Sequence, residues 1–313
     1  VISYQHIPVL CTEVVEWLVT DPDGIYCDGT LGGGGHTAAI AQKLTSRGSV
    51  IGLDRDATAI QAAQAHLARL ELGAKVHIHQ LEFAQMKQVI APNSLAGILL
   101  DLGVSSYQLD TPTRGFSFRG AGPLDMRMDT RTAETAADLL NHRSEQELAT
   151  IFYQFGEERH SRRIARQIVQ ARTKAPLKTT AELAQIVRHV VGDNPYTSKS
   201  LARIFQALRI AVNDELNQLT QALHVAIECL RASGRLVVIS YHSLEDRIVK
   251  NIFRDEEKGC ICPPKIPHCV CGRKPTLRRL TKKPIYPSAT EIEHNSRARS
   301  ARLRVAEKRD IGS

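Results

Sequence analysis

Residues 25–36 read Ile-Tyr-Cys-Asp-Gly-Thr-Leu-Gly-Gly-Gly-Gly-His. The first four residues fit a short buried strand and His36–Leu44 a helix, so the glycines form a strand–turn–helix junction. Glycines there let the chain turn sharply and let a ligand approach the backbone, while the start of the helix offers N–H groups and a positive dipole end. Four successive glycines lose much conformational freedom on folding, a loss that a purely structural turn does not explain. Nineteen residues after Gly35, Asp54 ends the strand Ser49–Asp54 with a carboxylate suited to a ribose diol. The pattern predicts a cofactor that contains a nucleoside.

Outward from the turn, a helix is expected at about 12–20 and another at 57–70, with strands at Lys75–His79 and Leu95–Asp101. Alternating strands and helices with unbroken apolar strands predict a parallel sheet covered on both faces. Residues 105–130, rich in Gly and Pro, read as a long loop of the kind that usually carries function. From 133 to about 231 the pattern is helical. Capping boxes stand at Ser144/Glu147 and Thr179/Glu182, a long run begins near 199, and Gly234 is its expected C-cap. Strand character returns at Arg235–Ser240, followed by a helix at Leu244–Phe253. Two further strands, Thr276–Thr281 and Ala301–Ala306, suit an antiparallel edge. The expected organisation is one α/β sheet domain from 1–110 and 215–313, interrupted by an all-helical domain at 111–214.

The 313 residues are 42% hydrophobic, which excludes a disordered chain, a collagen-like fibre and a disulfide-dense toxin. Apolar runs such as Leu236–Ile239 are far too short to span a bilayer. Residues 1–20 lack a basic-then-apolar leader pattern, and seven cysteines, an odd number, argue against an extracellular disulfide framework. A cytoplasmic protein is expected. Charge is unevenly spread: residues 258–309 hold 14 Lys+Arg and 3 Asp+Glu, and the rest of the chain holds 27 and 30. Such a basic end suits a polyanion, most often nucleic acid, and a basic tail without a specific partner is the plainer alternative.

Gly33-x-Gly35-x-x-Ala38 satisfies the dinucleotide fingerprint in form, which would suit a nicotinamide-dependent oxidoreductase. Asp28 argues against it, because an acid at the mouth of the turn repels a pyrophosphate. A cofactor with a cationic amino-acid tail and no phosphate, such as S-adenosylmethionine, fits that charge.

Asp101-Leu-Gly-Val-Ser-Ser-Tyr-Gln-Leu-Asp110, Arg114-Gly-Phe-Ser-Phe118 and Gly122-Pro-Leu-Asp-Met-Arg-Met-Asp129 extend the pattern. With Asp28–Thr37, Tyr241-His-Ser-Leu-Glu-Asp-Arg247 and Asn295–Arg299, they closely resemble the bacterial 16S ribosomal RNA cytosine-N4 methyltransferase family (RsmH/MraW). The resemblance runs from His6 to Arg304. It implies a Rossmann-like S-adenosylmethionine-dependent methyltransferase sheet domain with an inserted helical domain for substrate recognition. It also implies methylation of the exocyclic N4 amine of a cytosine in the decoding region of 16S ribosomal RNA, with that RNA or the small ribosomal subunit as partner. By motif, Gly34, Gly35, His36, Asp54, Phe83, Asp101 and Gln108 are the implied cofactor contacts. Tyr107 stands where many members have Pro, a change confined to the loop. Asp101-Leu-Gly-Val replaces the Asn/Asp-Pro-Pro-aromatic motif of DNA amino-methyltransferases, so no motif supplies a stacking partner for the base.

A cytosine amine is a poor nucleophile because its lone pair is delocalised into the ring. Its methylation calls for alignment with a sulfonium methyl and for acceptors that draw its protons out of the ring plane. Positioning of this kind can supply about 7–11 kcal/mol of the barrier. The base must leave its stack, and no cysteine nucleophile or metal ligand is assigned. The catalytic candidates are Asp101 and His242, the latter just past the fifth strand. Each has a plainer reading: Asp101 serving only the cofactor, His242 as a satisfied structural residue.

Arg159, Arg162, Arg163 and Arg166 recur at helical spacing with Ile164 and Ile168 opposite, either a phosphate-binding stripe or a solvated face. Arg273–Lys283 and the cluster Arg297, Arg299, Arg302 and Arg304 are further phosphate candidates. Cys260-x-Cys262 and Cys269-x-Cys271 either bind zinc, although structural sites usually space their cysteines more widely, or remain redox-sensitive thiols. A homodimer stands beside the RNA as a candidate partner. A ribosome-binding protein without turnover is a third functional reading.

Overall fold

Leu53, Ile98, Leu99 and Leu100 have no exposed surface, because the strands that carry them are covered on both faces. The computed structural model describes residues 8–263, 268 and 270–310, so His6, Ile7 and Cys269 lie outside the described residues. The sheet comprises β1 (Ile25–Asp28), β2 (Ser49–Asp54), β3 (Lys75–Gln80), β4 (Leu95–Asp101), β5 (Leu230–Ser240), β6 (Leu277–Arg279) and β7 (Arg302–Lys308). Their order is β3-β2-β1-β4-β5-β7-β6. The first five strands are parallel, and β7 runs antiparallel to both β5 and β6. This is a Rossmann-like α/β sheet with a reversed strand near one edge.

Contacts divide the chain into two units, Val1–Gly103 with Leu216–Ser313, and Val104–Glu215. The boundary falls earlier than 110/111 because Val104 and Leu109 pack against the second unit's core. In the first unit, α1 (Cys11–Leu18), α2 (Gly35–Ala41) and α3 (Ala57–Leu67) follow the strand alternation. The second unit holds α4 (Ser106–Asp110), α5 (Ala136–His142), α6 (Glu145–Gln154), α7 (Ser161–Arg172), α8 (Thr180–Val191) and α9 (Thr197–Asn213). Its core includes Phe152, Ile164, Ile168, Val187 and Ile204. The Ser144/Glu147 and Thr179/Glu182 boxes start α6 and α8 as their spacing predicts. The loop between α4 and α5 is tied down from within its own unit. Arg114 donates to the carbonyls of Arg127 and Met128 at 2.8 and 3.0 Å, and Asn213 bonds the backbone of Met126 and Met128.

Two expectations need correction. The long helix near 199–231 is broken at Asp214, whose φ of 48° ends α9 before α10 (Glu215–Cys229) begins. Gly234 is not a helix cap. It lies inside β5, at a register shift against β4 where Leu95 pairs with Leu230 and Gly97 with Arg235. The intervening residues include Ser233 at φ 61°, so a β-irregularity, not a C-cap, uses the small residues. The chain continues through α11 (Ser243–Lys258) and α12 (Ala289–His294). Among the described residues no helix is long and apolar enough to cross a membrane.

Candidate cofactor site at the carboxyl ends of the parallel strands

Strand order reverses between β1 and β4, and an open parallel sheet forms its ligand crevice at the carboxyl ends of strands at such a point. Three strands end there in acids: Asp28 on β1, Asp54 on β2 and Asp101 on β4. Their roles separate by hydrogen bonding.

Asp28 lies beneath the turn and not at its mouth. It is 1% exposed, and it accepts from the Thr30 N–H at 3.1 Å and from the Thr37 hydroxyl at 2.7 Å. Thr30 Oγ1 in turn accepts the Asp101 N–H at 2.6 Å, tying the turn to the end of β4. Gly34, at φ 79°, is where the turn lies on α3. A Cβ there would stand 3.3 Å from Ala63 Cβ and Leu67 Cγ, so both the backbone conformation and the packing require glycine. At Gly33 an added Cβ meets nothing within 4 Å, so this part of the turn is open to an approaching group. Gly35 packs against Pro8 instead. Phe83 opens the 3₁₀ turn after β3, half-buried, beside Gly29 of the same junction.

Asp54 accepts the Gly32 N–H on one oxygen and the Asp56 N–H on the other, both at 2.9 Å. It therefore shapes the turn as well as facing the crevice, and each oxygen keeps a second lone pair for a ligand. Burial outweighs these two bonds and pushes its carboxyl up to about 6.

Asp101 is the junction of a small network. Its Oδ1 accepts from the Tyr241 hydroxyl at 2.8 Å, and its Oδ2 is 3.6 Å from His36 Nδ1. His36 is buried, and its Nε2 is 2.9 Å from the Val9 carbonyl. A carbonyl can only accept, so Nε2 carries the proton and Nδ1 faces the carboxyl. Burial raises Asp101 to about 6, opposed by His36 and Tyr241, with Asp28 adding to the rise. Burial and the Asp101 charge push the Tyr241 hydroxyl well up, so it stays a neutral donor at physiological pH.

Tyr241 was not among the residues singled out from the sequence. Its neighbour His242 was, and the structure gives His242 a capping role. His242 is the N-cap of α11: its Nδ1 accepts the Glu245 N–H at 3.4 Å, and Glu245 returns bonds to the Tyr241 and His242 N–H groups. Its Nε2 lies 3.1 Å from Glu245 Oε1, close enough for ion pairing although not aligned as a hydrogen bond. Nδ1 is thus taken up by the cap, while Nε2 is buried without a hydrogen-bond partner among the described residues. Gln108 belongs to the second unit, where its side chain accepts the Ser105 N–H at 3.1 Å in the capping box of α4. The six other expected cofactor residues all belong to the first unit, around the glycine turn and the ends of β2, β3 and β4.

The arginines divide unexpectedly. Arg162, Arg163 and Arg166 are exposed on α7, opposite the buried Ile164, Ala165 and Ile168. Arg159 precedes the helix and does not extend the stripe along it, and Arg166 Nε is 3.6 Å from Glu145. Much of the basic tail is consumed internally. Arg304, 6% exposed, pairs with Asp246 at 2.6 Å, and Arg302 approaches the same carboxylate at 3.6 Å. Arg278 and Arg279 pair with Glu307 and Glu257, and Arg273 with Glu256.

A model of the MraW methylase family matches residues 3–309. The chain is 49% identical to the ribosomal RNA small subunit methyltransferase H of Heliobacterium modesticaldum, over 97% of this chain and 99% of that protein. It is 48% identical to the protein so named in Carboxydothermus hydrogenoformans, over 98% of both chains. For the one in Trichlorobacter lovleyi the identity is 49%, over 98% of this chain and 99% of the relative. Matched along essentially its whole length, the chain belongs to the MraW methylase family.

Proposed function

We propose that this protein transfers a methyl group from S-adenosylmethionine to the exocyclic N4 amine of a cytosine in the decoding region of small-subunit ribosomal RNA. The observation that carries the reading is the set of acids around the open glycine turn. Asp54 offers lone pairs to a diol, Asp101 a carboxylate to a cation or an amine, and buried Asp28 makes the potential unfavourable for a pyrophosphate. The relatives, named as small-subunit ribosomal RNA methyltransferases, favour the same substrate.

S-adenosylmethionine, when bound, supplies a methyl group on a positively charged sulfur. The backbone at Gly34 and Gly35, the Phe83 ring and the Asp54 carboxylate hold its nucleoside part, with His36 as a further contact. Asp101 is the acceptor that draws an amine proton out of the ring plane, which frees the nitrogen lone pair to attack. Tyr241 is a positioning residue: its hydroxyl donates to one Asp101 oxygen and so fixes the direction in which the carboxylate accepts. The exposed arginines of α7 contact RNA phosphates and fix register without reading bases.

The test is mass mapping of methylated nucleotides in ribosomal RNA from cells lacking the protein, with purified protein then added to the undermethylated small subunit. One N4-methyl mark should vanish and return. A complete mark in the deletion strain, or cofactor binding without turnover on that RNA, overturns the reading.

A further inference from the structure

Between α11 and β6 the described residues 259–263 and 270–276 form neither helix nor strand, and little apolar burial holds them. Ile261 is 63% exposed and Val270 77%. Connections of this length inside a compact unit need a reason to be ordered, and a short segment without a core of its own usually finds it in a metal or a covalent link. Cys260, Cys262 and Cys271 converge there, with their sulfurs all within 4.8 Å of one another. The separation of Cys260 and Cys271 is 3.9 Å. Sulfurs at about 2.3 Å around a tetrahedral zinc stand roughly 3.8 Å apart, whereas a disulfide needs about 2.05 Å.

Three further features suit a thiolate–metal centre. Cys260 and Cys262 are two residues apart on non-helical backbone, where alternate side chains share a face, so the narrow spacing presents both sulfurs together. Cys262 Sγ accepts the Val270 N–H at 3.4 Å, a bond that stabilises negative charge on sulfur. Gly272, at φ 63°, supplies a sharp turn immediately after Cys271.

We propose that Cys260, Cys262 and Cys271 bind one zinc ion that staples the α11–β6 connection, a structural site separate from the methyl-transfer residues. Three protein thiolates leave the fourth position of the tetrahedron to a water or a further donor.

The experiment uses the full-length chain, purified under reducing conditions without chelator. Metal analysis should find one zinc per chain. After zinc removal, titration with Co²⁺ should raise an intense thiolate-to-cobalt charge-transfer absorption that saturates at one equivalent and is abolished by added Zn²⁺. The Cys260→Ser/Cys271→Ser double variant should lose the band, and Cys11→Ser should keep it. The cobalt spectrum of the wild-type chain needs no variant to fold. A reduced wild-type chain that binds Co²⁺ without the thiolate band overturns the proposal, as does a band that persists in the double variant. Peptide mapping that finds a Cys260–Cys271 disulfide in protein isolated without oxidant overturns it as well.

Discussion

Asp28, Asp54 and Asp101 in the sheet unit and Arg162 and Arg163 in the helical unit are charged for different physical ends. The three acids sit at strand ends, each oriented by backbone or hydroxyl donors, and burial resists the ionisation of Asp54 and Asp101. The two arginines stand exposed on α7, with no ion-pair partner among the described residues. A charge held in place in a poorly solvated crevice can act on a single atom of a ligand, because the environment fixes its geometry and screens it little. A charge on a solvated helix acts on a polyanion as a whole, through counterion release, and tolerates imprecise placement. Changes in the sheet unit should therefore give large, position-specific losses. Changes on α7 should give small, salt-dependent ones.

The largest effect is expected from Asp101→Asn. The amide keeps the shape of the side chain but removes its charge and half its accepting capacity. Turnover should fall by about 10²–10⁴, the usual worth of a positioned proton acceptor, while cofactor affinity changes far less. Single-turnover kinetics beside calorimetry separate the two. Parallel losses in both would move Asp101 to the cofactor side of the site.

The basic tail decides whether that contrast follows sequence charge or burial. Arg304 looks like a phosphate ligand by composition but is buried against Asp246. Arg304→Ala should cost about 3 kcal/mol of stability, the lower end for a broken buried pair, since Arg302 stays near the same carboxylate. Urea unfolding reads this directly, and the salt dependence of RNA binding should not move. A flattened salt dependence with unchanged stability would return Arg304 to the RNA surface.

The same residue shows what the sequence conveys and what it does not. The parallel sheet was legible because hydrophobic period and glycine placement are local properties of Ile25–Leu44 and Leu95–Asp101. The glycine turn with Asp54 and Asp101 was legible for the same reason. The fate of Arg302 and Arg304 was not, since their partner Asp246 lies on α11 and only the antiparallel β5–β7 pairing brings the two together. Tyr241 was hidden likewise: it precedes a capping box that draws attention to His242, and its tie to Asp101 spans two strands. A signal existed in Glu245, three residues after His242, which marks His242 as an N-cap. Asp28 was legible as an acid at the turn, but its depth depends on Thr30 and Thr37 both reaching it.

Asp54 comes next in size. Asp54→Asn should weaken S-adenosylmethionine binding by about 1.5–3 kcal/mol, through loss of charge-assisted hydrogen bonds. Asp54→Ala should add a fall in melting temperature, because the N–H groups of Gly32 and Asp56 lose their acceptor. Wild-type affinity in Asp54→Asn would remove the residue from the cofactor site. The carboxyl is raised to about 6 in the fold, above its ordinary 3.8, so the folded state holds a proton that the unfolded chain releases between those values. Its ionisation opposes folding fully above about pH 6, and that penalty disappears below about pH 4. Without cofactor, Asp54 therefore makes stability rise as pH falls from 7 to 4, by at most about 3 kcal/mol. Asp54→Asn should lack that share of the slope. Identical pH profiles for the two proteins would show that the carboxylate is better solvated than its surroundings suggest.

The smallest effect, and the sharpest test of the helical unit, comes from Arg162→Ala with Arg163→Ala. Alanine is the best helix former, and Ile164, Ala165 and Ile168 still fill the core, so circular dichroism should match wild type. Each phosphate contact contributes a slope of about −0.7 for single strands to −0.9 for duplex in a plot of log affinity against log salt. Losing two contacts should reduce the magnitude by about 1.4–1.8, with cofactor affinity unchanged. Arg166→Ala should do less than either of the other two, because Glu145, 3.6 Å away, already neutralises part of its charge. Filter binding to small-subunit RNA across a salt series checks both. If Arg166→Ala moves the slope as much as the other arginines, the Glu145 pair opens on binding and the stripe is one turn longer. If none moves it, α7 is a solvated face, and the phosphate contacts belong to tail cations such as Lys282, Lys283 and Arg299.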